Sequence, residues 1–337
     1  MPSDPSIDQR RAEFARNERL ESLLGTLNSD LALAEAQAMQ PYHGQQPRFP
    51  PIFIMGAPRC GSTLFMQWLA STGVFAFPSN MLSRFWAAPI IGTRIQKALT
   101  DPDYDFRDEL HDFKGETGFE SHHGKTTGAL SPNEFWYFWR RFFPGNDYHP
   151  QEVLERTVDT ALLKAELAGI IDVLDKPFAA KGMIFNENIP FMAQQFPNAI
   201  FVWIRRRPEY NIQSLLLARK RQYGDMRQWY SFKIRAYHRL KDLPPVEAVS
   251  GQVASIHAAI ARGLETIGDE RKLVVNYEDF CRDPEAIYRR LTSRLAIYSA
   301  APAEYKGPSE FRPREEWRLD CVTENDVRSV YEKYVTI

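Results

Sequence analysis

Short apolar runs alternate with longer segments of helical periodicity from about residue 51 onward. The runs are IFIM, FAAKGMIF, AIFVWI and KLVVNY, and a helix-forming segment follows each of them. A strand of a parallel sheet is a nearly continuous apolar run, because helices cover both of its faces. The alternation therefore predicts an α/β fold in which helices flank a central parallel sheet.

Two regions fall outside this alternation. From residue 8 to about residue 40 the leucines are spaced as in a helix, and the segment ends in the proline- and glycine-rich PYHGQQPRFPP. This pattern predicts a helical N-terminal extension and linker over residues 1–49, followed by an α/β domain over residues 50–337. Residues 78–150 are rich in aromatic residues and weakly periodic. We interpret them as an insertion that either covers the sheet as a helical layer or binds the acceptor as a lid.

The charge balance excludes a standing polyanionic partner. The 337 residues include 42 basic and 43 acidic side chains, so any anion site must be local, and we expect no nucleic acid partner. Cys60, Cys281 and Cys321 have neither disulfide-framework nor metal-ligand spacing, so we expect no metal. The N-terminus lacks a secretory signal and no run reaches ~18 apolar residues, which favours a cytoplasmic protein without a transmembrane segment. Peripheral membrane contact and the oligomeric state stay open.

The segment PIFIMGAPRCGSTLF has the pattern of a phosphate-binding loop with one substitution. In the pattern GxxxxGK[ST], Gly56, Gly61 and Thr63 stand at the expected positions, but Ser62 replaces the lysine. The positive charge of this loop is supplied instead by Arg59, four residues before Thr63. A strand, a glycine turn and a helix together bring backbone amides and the positive end of the helix dipole to one point. The segment therefore predicts a P-loop-type anion site that differs from that of a nucleoside triphosphatase.

A second strand also ends in a cluster of positive charge. In FVWIRRRPEYNIQSLLLAR the arginines precede a helix N-terminus, where the dipole already disfavours cations. A bound anion would offset that repulsion.

The motif PRCGSTL resembles the loop of sulfotransferases that use 3′-phosphoadenosine 5′-phosphosulfate (PAPS), which usually reads Pro-Lys/Arg-Ser-Gly-Thr-Thr. The resemblance covers roughly residues 50 to 337. It implies that the backbone amides from Cys60 to Thr63, including that of Gly61, and the hydroxyls of Ser62 and Thr63 cradle the 5′-phosphosulfate. It also implies that Arg59 neutralises the leaving phosphate.

The resemblance extends to two further segments. Arg206 and Ser214 have the family's spacing of eight residues, which implies that they bind the 3′-phosphate. Tyr277 in KLVVNYEDF stands where the family has a tyrosine against the adenine. In the C-terminal stretch the family has a basic loop over the 3′-phosphate, but this chain reads FRPRE, so Arg312 and Arg314 are either such contacts or part of a solvated connector.

The general base is the point at which the chain departs from the family. Lys181 corresponds to the family's lysine near the reaction centre, but NIP stands near the place of the usual His-Leu-Pro. The segment FAFPSNMLSRF also lacks the glutamate that other branches use. The nearby GFESHHGK supplies His123 and Glu120 as the preferred candidates, with His122 and Glu134 as further ones.

The resemblance implies sulfuryl transfer from PAPS to an acceptor hydroxyl, with adenosine 3′,5′-bisphosphate as the product. The acceptor is expected to be a small molecule or glycan, and aromatic residues favour a carbohydrate or lipid-linked hydroxyl. Two alternatives stay open: a P-loop small-molecule kinase that uses ATP, and a degenerate, non-catalytic nucleotide-binding module.

Overall fold

A parallel four-stranded sheet forms the centre of the molecule. The computed structural model describes residues 10–110, 118–119, 121–122, 125–145, 147–296 and 304–335. The strands are β1 (Ile52–Met55), β2 (Ala179–Lys181), β3 (Ile200–Arg205) and β4 (Lys272–Asn276), in the order β2-β1-β3-β4. Every neighbouring pair is parallel. The predicted α/β fold with a central parallel sheet is confirmed.

The two faces of the sheet carry separate hydrophobic clusters, because successive side chains of a strand point to opposite faces. Phe53 and Phe201, which are paired in the register of β1 and β3, pack on one face with Trp139. Ile54 and Val202 pack on the other face. The apolar runs of the sequence therefore supply both halves of the core.

Helices cover both faces of the sheet and make up most of the remaining structure. In chain order they are α1 (Glu18–Asp30), α2 (Ala32–Met39), α3 (Ser62–Ser71), α4 (Pro89–Thr100), α5 (Trp136–Phe142), α6 (Gln151–Thr157), α7 (Thr160–Leu174), α8 (Ile189–Gln195), α9 (Pro208–Tyr223), α10 (Tyr237–Leu240), α11 (Pro245–Glu265), α12 (Tyr277–Arg282), α13 (Pro284–Leu295) and α14 (Glu324–Val335). A short hairpin pairs Ser121–His122 with Lys125–Thr126. None of the helices among the described residues has both the length and the apolar character that a membrane crossing requires.

Polar contacts attach the N-terminal helices to the α/β body. The Glu35 carboxylate of α2 accepts the backbone N–H groups of Ile90 and Ile91, each at 2.9 Å, at the start of α4. These amides have no partner inside their own helix, so the carboxylate satisfies them and meets the positive end of the dipole. Asn28 of α1 donates to the carbonyl of Arg84 at 2.8 Å. The N-terminal helices therefore brace the segment that precedes α4.

Candidate active site

The loop between β1 and α3 adopts a backbone that requires glycine at one position. Gly61 has φ 101°, and a Cβ there would lie 2.3 Å from Cδ2 of Tyr277. The glycine therefore permits both the left-handed turn and close contact with the tyrosine ring. Arg59 also has a positive φ, 70°, which is uncommon for a residue with a side chain.

Two asparagines hold this loop in place. The amide of Asn186 donates to the carbonyl of Gly56 at 2.8 Å and accepts the N–H of Gly56 at 3.2 Å. Asn211 of α9 donates to the carbonyl of Pro58 at 2.7 Å. Because both side chains are buried, these bonds lie away from competing water. The loop is therefore preorganised by neighbouring elements.

The amide of Cys60 is already bonded within the loop. Its N–H donates to the carbonyl of Ala57 at 3.1 Å, and its fully buried side chain belongs to the core. Burial raises the pKa of the Cys60 thiol, so it stays protonated. The first residues of α3, Ser62 and Thr63, carry amides that have no partner inside the helix. The amides at the start of α3 are the donors best placed for an anion.

Arg59 and Ser214 meet across the loop, as do Arg206 and Tyr277. Arg59 Nε donates to Ser214 Oγ at 3.3 Å, which joins the loop to α9. Arg206 Nη1 donates to the carbonyl of Arg59 at 3.2 Å, and the guanidinium lies 5.0 Å from the centroid of the Tyr277 ring. Side chains that are far apart in sequence therefore form one cationic cluster beside the loop.

The Arg206 side chain is half-buried, and its guanidinium is incompletely bonded. Its Nη2 donates to the carbonyl of Arg314, whereas its Nε is buried and has no hydrogen-bond partner among the described residues. Burial lowers the pKa of Arg206, but an arginine stays charged at neutral pH. A buried cation with an unpaired donor is costly unless an anion completes its bonding.

Tyr277 packs against both the loop and Arg206. The residue follows β4 as the first residue of α12 and is 5% exposed. Burial raises its pKa to about 12, so the ring stays neutral. Its ring contacts Gly61 on one side and has the Arg206 cation over its face.

Lys181 ends β2 and points into the same region. The residue is 6% exposed, and its ammonium group donates to Thr63 Oγ1 and to Glu134 Oε1, both at 2.9 Å. The ammonium therefore links the start of α3 to a carboxylate of the segment that precedes α5.

Glu134 is the only acidic side chain among the described residues that pairs with Lys181. Its other oxygen, Oε2, accepts the indole N–H of Trp136 at 2.5 Å. Burial raises the pKa of Glu134, but the charge of Lys181 and the hydrogen bonds from Lys181 and Trp136 outweigh this effect and lower the pKa below its usual value. The group is therefore a carboxylate at neutral pH.

The structure brings together eight of the site residues that the sequence predicted. Two other predicted residues lie outside the described part of the chain. The eight are Arg59, Cys60, Gly61, Ser62, Thr63, Arg206, Ser214 and Tyr277, and Lys181 adjoins them through Thr63. His123 and Glu120 lie outside the described residues, and only the backbone of His122 is placed. The side chains of Arg312 and Arg314 are exposed, and only the Arg314 backbone reaches the cluster.

Sequence reasoning did not identify the residues that hold the site in place. Asn186 and Asn211 position the loop, and Trp136 binds Glu134. A signal for Asn186 exists, since a polar residue in MIFNENIP shortly follows a predicted strand end. No such signal singles out Trp136, because FWYFW reads as a cluster of core aromatic residues.

Comparisons with known proteins identify a family and a similar fold. A family model described as "Sulfotransferase family" matches residues 50–298. Sulfotransferase STF1 from Mycobacterium tuberculosis H37Rv has a similar structure, with a TM-score of 0.53 and 12% identity over 90% of this chain and 81% of its own. For sulfotransferase STF9 from Mycobacterium avium the values are 0.49 and 16%, over 86% and 77%. At 12% identity the likeness to STF1 concerns the fold alone. None of the curated protein sequences matches this chain.

Proposed function

Because the chain belongs to the sulfotransferase family, we propose that it transfers a sulfuryl group from PAPS to an acceptor hydroxyl. One observation is the main reason for choosing PAPS as the donor. The half-buried Arg206 guanidinium lies over the ring of Tyr277, and its buried Nε lacks a hydrogen-bond partner among the described residues. A 3′-phosphate could complete its bonding, with an adenine ring beside Tyr277. A nucleotide with a free 3′-hydroxyl would leave this cation without its anion.

The residues of the loop fit the 5′-phosphosulfate group of PAPS. The amides at the start of α3, which have no partner inside the helix, and the hydroxyls of Ser62 and Thr63 would hold the phosphosulfate, with the positive end of the helix dipole behind them. Arg59 and Lys181 supply positive charge on either side. When bound, PAPS supplies the sulfuryl group and leaves as adenosine 3′,5′-bisphosphate. The chain contributes positioning and stabilisation of the charge that develops on the leaving phosphate.

The acceptor and the cellular location are parts of the same proposal. We expect a hydroxyl of a small molecule or glycan, with carbohydrate and lipid-linked hydroxyls preferred, because the aromatic side chain of Trp136 bonds to Glu134 and packs beside Phe232. A cytoplasmic location suits the free thiols of Cys60, Cys281 and Cys321. The kinase alternative is not favoured, because the family transfers sulfuryl groups.

Ligand-linked thermal stability tests the choice of donor. Adenosine 3′,5′-bisphosphate should raise the melting temperature, because a ligand at a hundredfold excess over its Kd stabilises a protein by ~2.7 kcal/mol. ATP with magnesium should raise it less. Arg206→Ala should abolish most of the bisphosphate effect, since the loss of one buried partner of a charged group costs ~2 to 5 kcal/mol.

The neighbouring Arg205 provides a matched control. It is exposed and stacks on Trp203 at 5.2 Å, so Arg205→Ala should keep the full bisphosphate effect. A larger shift with ATP and magnesium would contradict the proposal and favour the kinase. If neither nucleotide shifts the transition, the non-catalytic module becomes the better interpretation.

A further inference from the structure

We infer that Glu134 is the general base that takes the proton from the acceptor hydroxyl. This inference rests on the proposed function. Its geometric basis is the ammonium of Lys181, which bonds to Thr63 Oγ1 at the start of α3 and to Glu134 Oε1, both at 2.9 Å. A single ammonium group therefore separates the carboxylate from the loop that would hold the sulfuryl group. The side chain of Glu134 is 38% exposed, so an acceptor can reach it.

The backbone around Glu134 is held on both sides. Asn133 donates its N–H to the carbonyl of Pro78 at 2.7 Å, and its side chain donates to Asn80 Oδ1 at 2.8 Å. Phe135 has φ 57°, a left-handed conformation that is rare for an aromatic residue. Its fully buried ring stacks on Phe138 with the centroids 4.4 Å apart, which holds the turn in this conformation. The turn directs Glu134 toward Lys181.

Trp136 holds the second carboxylate oxygen. Its indole N–H donates to Oε2 at 2.5 Å, while Oε1 is bonded to Lys181. Each oxygen of a carboxylate can accept more than one hydrogen bond, so an acceptor O–H can still approach Glu134. The two donors fix the orientation of the carboxylate, as second partners do for other catalytic groups. We regard Trp136 as a positioning residue.

The charged groups around Glu134 keep its carboxylate ionised, so it is free of a proton before the reaction. Lys181 from β2 and Arg59 from the loop are cations, and Tyr230 is close enough for the Glu134 charge to raise its pKa. Burial is the main cause of that raised pKa, so Tyr230 is neutral. Glu134 is thus the anionic member of the cluster among the described residues, and it stays ionised into the acidic range.

The transfer step conserves atoms and electrons. The acceptor oxygen forms a bond to sulfur while the bond between sulfur and the phosphate oxygen breaks. The electron pair of the broken bond stays on the phosphate, where Arg59 and Lys181 meet the new negative charge. The hydroxyl proton passes to a Glu134 oxygen and is later released to water. As Lys181 turns its charge toward the leaving phosphate, Glu134 loses part of that stabilisation and becomes a stronger base.

The first experiment replaces the carboxylate with its isosteric amide. Glu134→Gln should lower kcat roughly 100- to 10,000-fold, the usual contribution of a general base, and leave the KM for PAPS within about twofold. The release of adenosine 3′,5′-bisphosphate from PAPS would be measured with octyl glucoside, with 2-naphthol and with water alone. The thermal shift with adenosine 3′,5′-bisphosphate should be as large as in the wild type, because Glu134 does not hold the donor.

Glu21→Gln is the matched control. Glu21 also accepts a hydrogen bond from the neighbouring helix α5, through the hydroxyl of Tyr137, but it has no contact with Lys181. Its substitution should change neither kcat nor the thermal shift. A similar loss of kcat in both variants would show that Glu134 acts through general stability and would overturn the inference.

The pH profile distinguishes a carboxylate from a histidine as the base. With Glu134 in this role, kcat should stay constant from pH 8 down to about pH 5.5, whereas a histidine base would lose activity below about pH 6.5. Trp136→Phe removes one hydrogen bond to the carboxylate, so the acidic limb should move to higher pH. A residue with a purely structural role would leave this limb in place.

The outcomes separate this inference from the proposed function. If adenosine 3′,5′-bisphosphate does not stabilise the protein, the proposed function fails and the inference fails with it. If the bisphosphate binds but Glu134→Gln keeps full turnover, the inference alone fails. Loss of the acidic limb in His123→Asn would assign the base to His123.

Discussion

His257 should make the stability of the fold sensitive to mild acid. The residue lies in α11, with its ring 5.8 Å from that of Trp203 and with Nδ1 3.3 Å from the hydroxyl of Tyr331. Its Nε2 is buried without a hydrogen-bond partner among the described residues. Burial, with a contribution from the charge of Arg205, lowers the pKa of His257 from 6.5 to about 4.

The direction and size of the pH effect on the free energy of unfolding follow from this pKa. Between pH 6.5 and pH 4 the unfolded chain binds a proton that the folded chain does not, so the free energy of unfolding falls as the pH falls. The full difference in pKa corresponds to ~3.4 kcal/mol, and ~2 kcal/mol of it should be lost between pH 7 and pH 5. The contribution is fully present above about pH 7.

Urea unfolding at pH 7 and pH 5 would measure this loss. His257→Gln removes the titrating ring, so the variant should lose ~2 kcal/mol less than the wild type over the same range. The wild type and the variant are compared by how much stability each loses between pH 7 and pH 5. The loss of the His257 ring contacts lowers the stability of the variant at both pH values and so cancels from this difference. Exposed His238 provides the control, since His238→Gln should keep the wild-type dependence. An unchanged dependence in His257→Gln would refute the reasoning.

Two further variants test the loop. Arg59→Ala should lower kcat more than the affinity for PAPS, because the charge that Arg59 meets is greatest in the transition state; weaker binding at unchanged kcat would remove Arg59 from catalysis. Gly61→Ala should abolish stabilisation by adenosine 3′,5′-bisphosphate, because its Cβ would lie 2.3 Å from Tyr277. Gly25→Ala, where a Cβ meets nothing within 4 Å, should keep that stabilisation, and a full shift in Gly61→Ala would show that the loop tolerates the substitution.

The sequence predicted β3 well because this strand is buried on both faces over most of its length, and it predicted β4 although Val274 on that edge strand is exposed. AIFVWI and KLVVNY correspond closely to β3 (Ile200–Arg205) and β4 (Lys272–Asn276). FAAKGMIF was less informative, since β2 ends at Lys181 and residues Met183–Phe185 form a 3₁₀ turn. An apolar run records burial, and a buried turn has the same composition as a buried strand.

The sequence by itself determined the α/β fold, the anion-binding loop and the family, because these depend on periodicity and on short motifs. Only the tertiary structure decided which distant side chains meet. Strand order β2-β1-β3 places Lys181 on one side of the loop and Arg206 on the other, because the carboxyl ends of parallel strands share one edge. The pairing of Lys181 with Glu134 depends in addition on the left-handed turn at Phe135. The run FWYFW predicts buried aromatic packing, but nothing in it predicts the left-handed conformation of Phe135 that this packing holds.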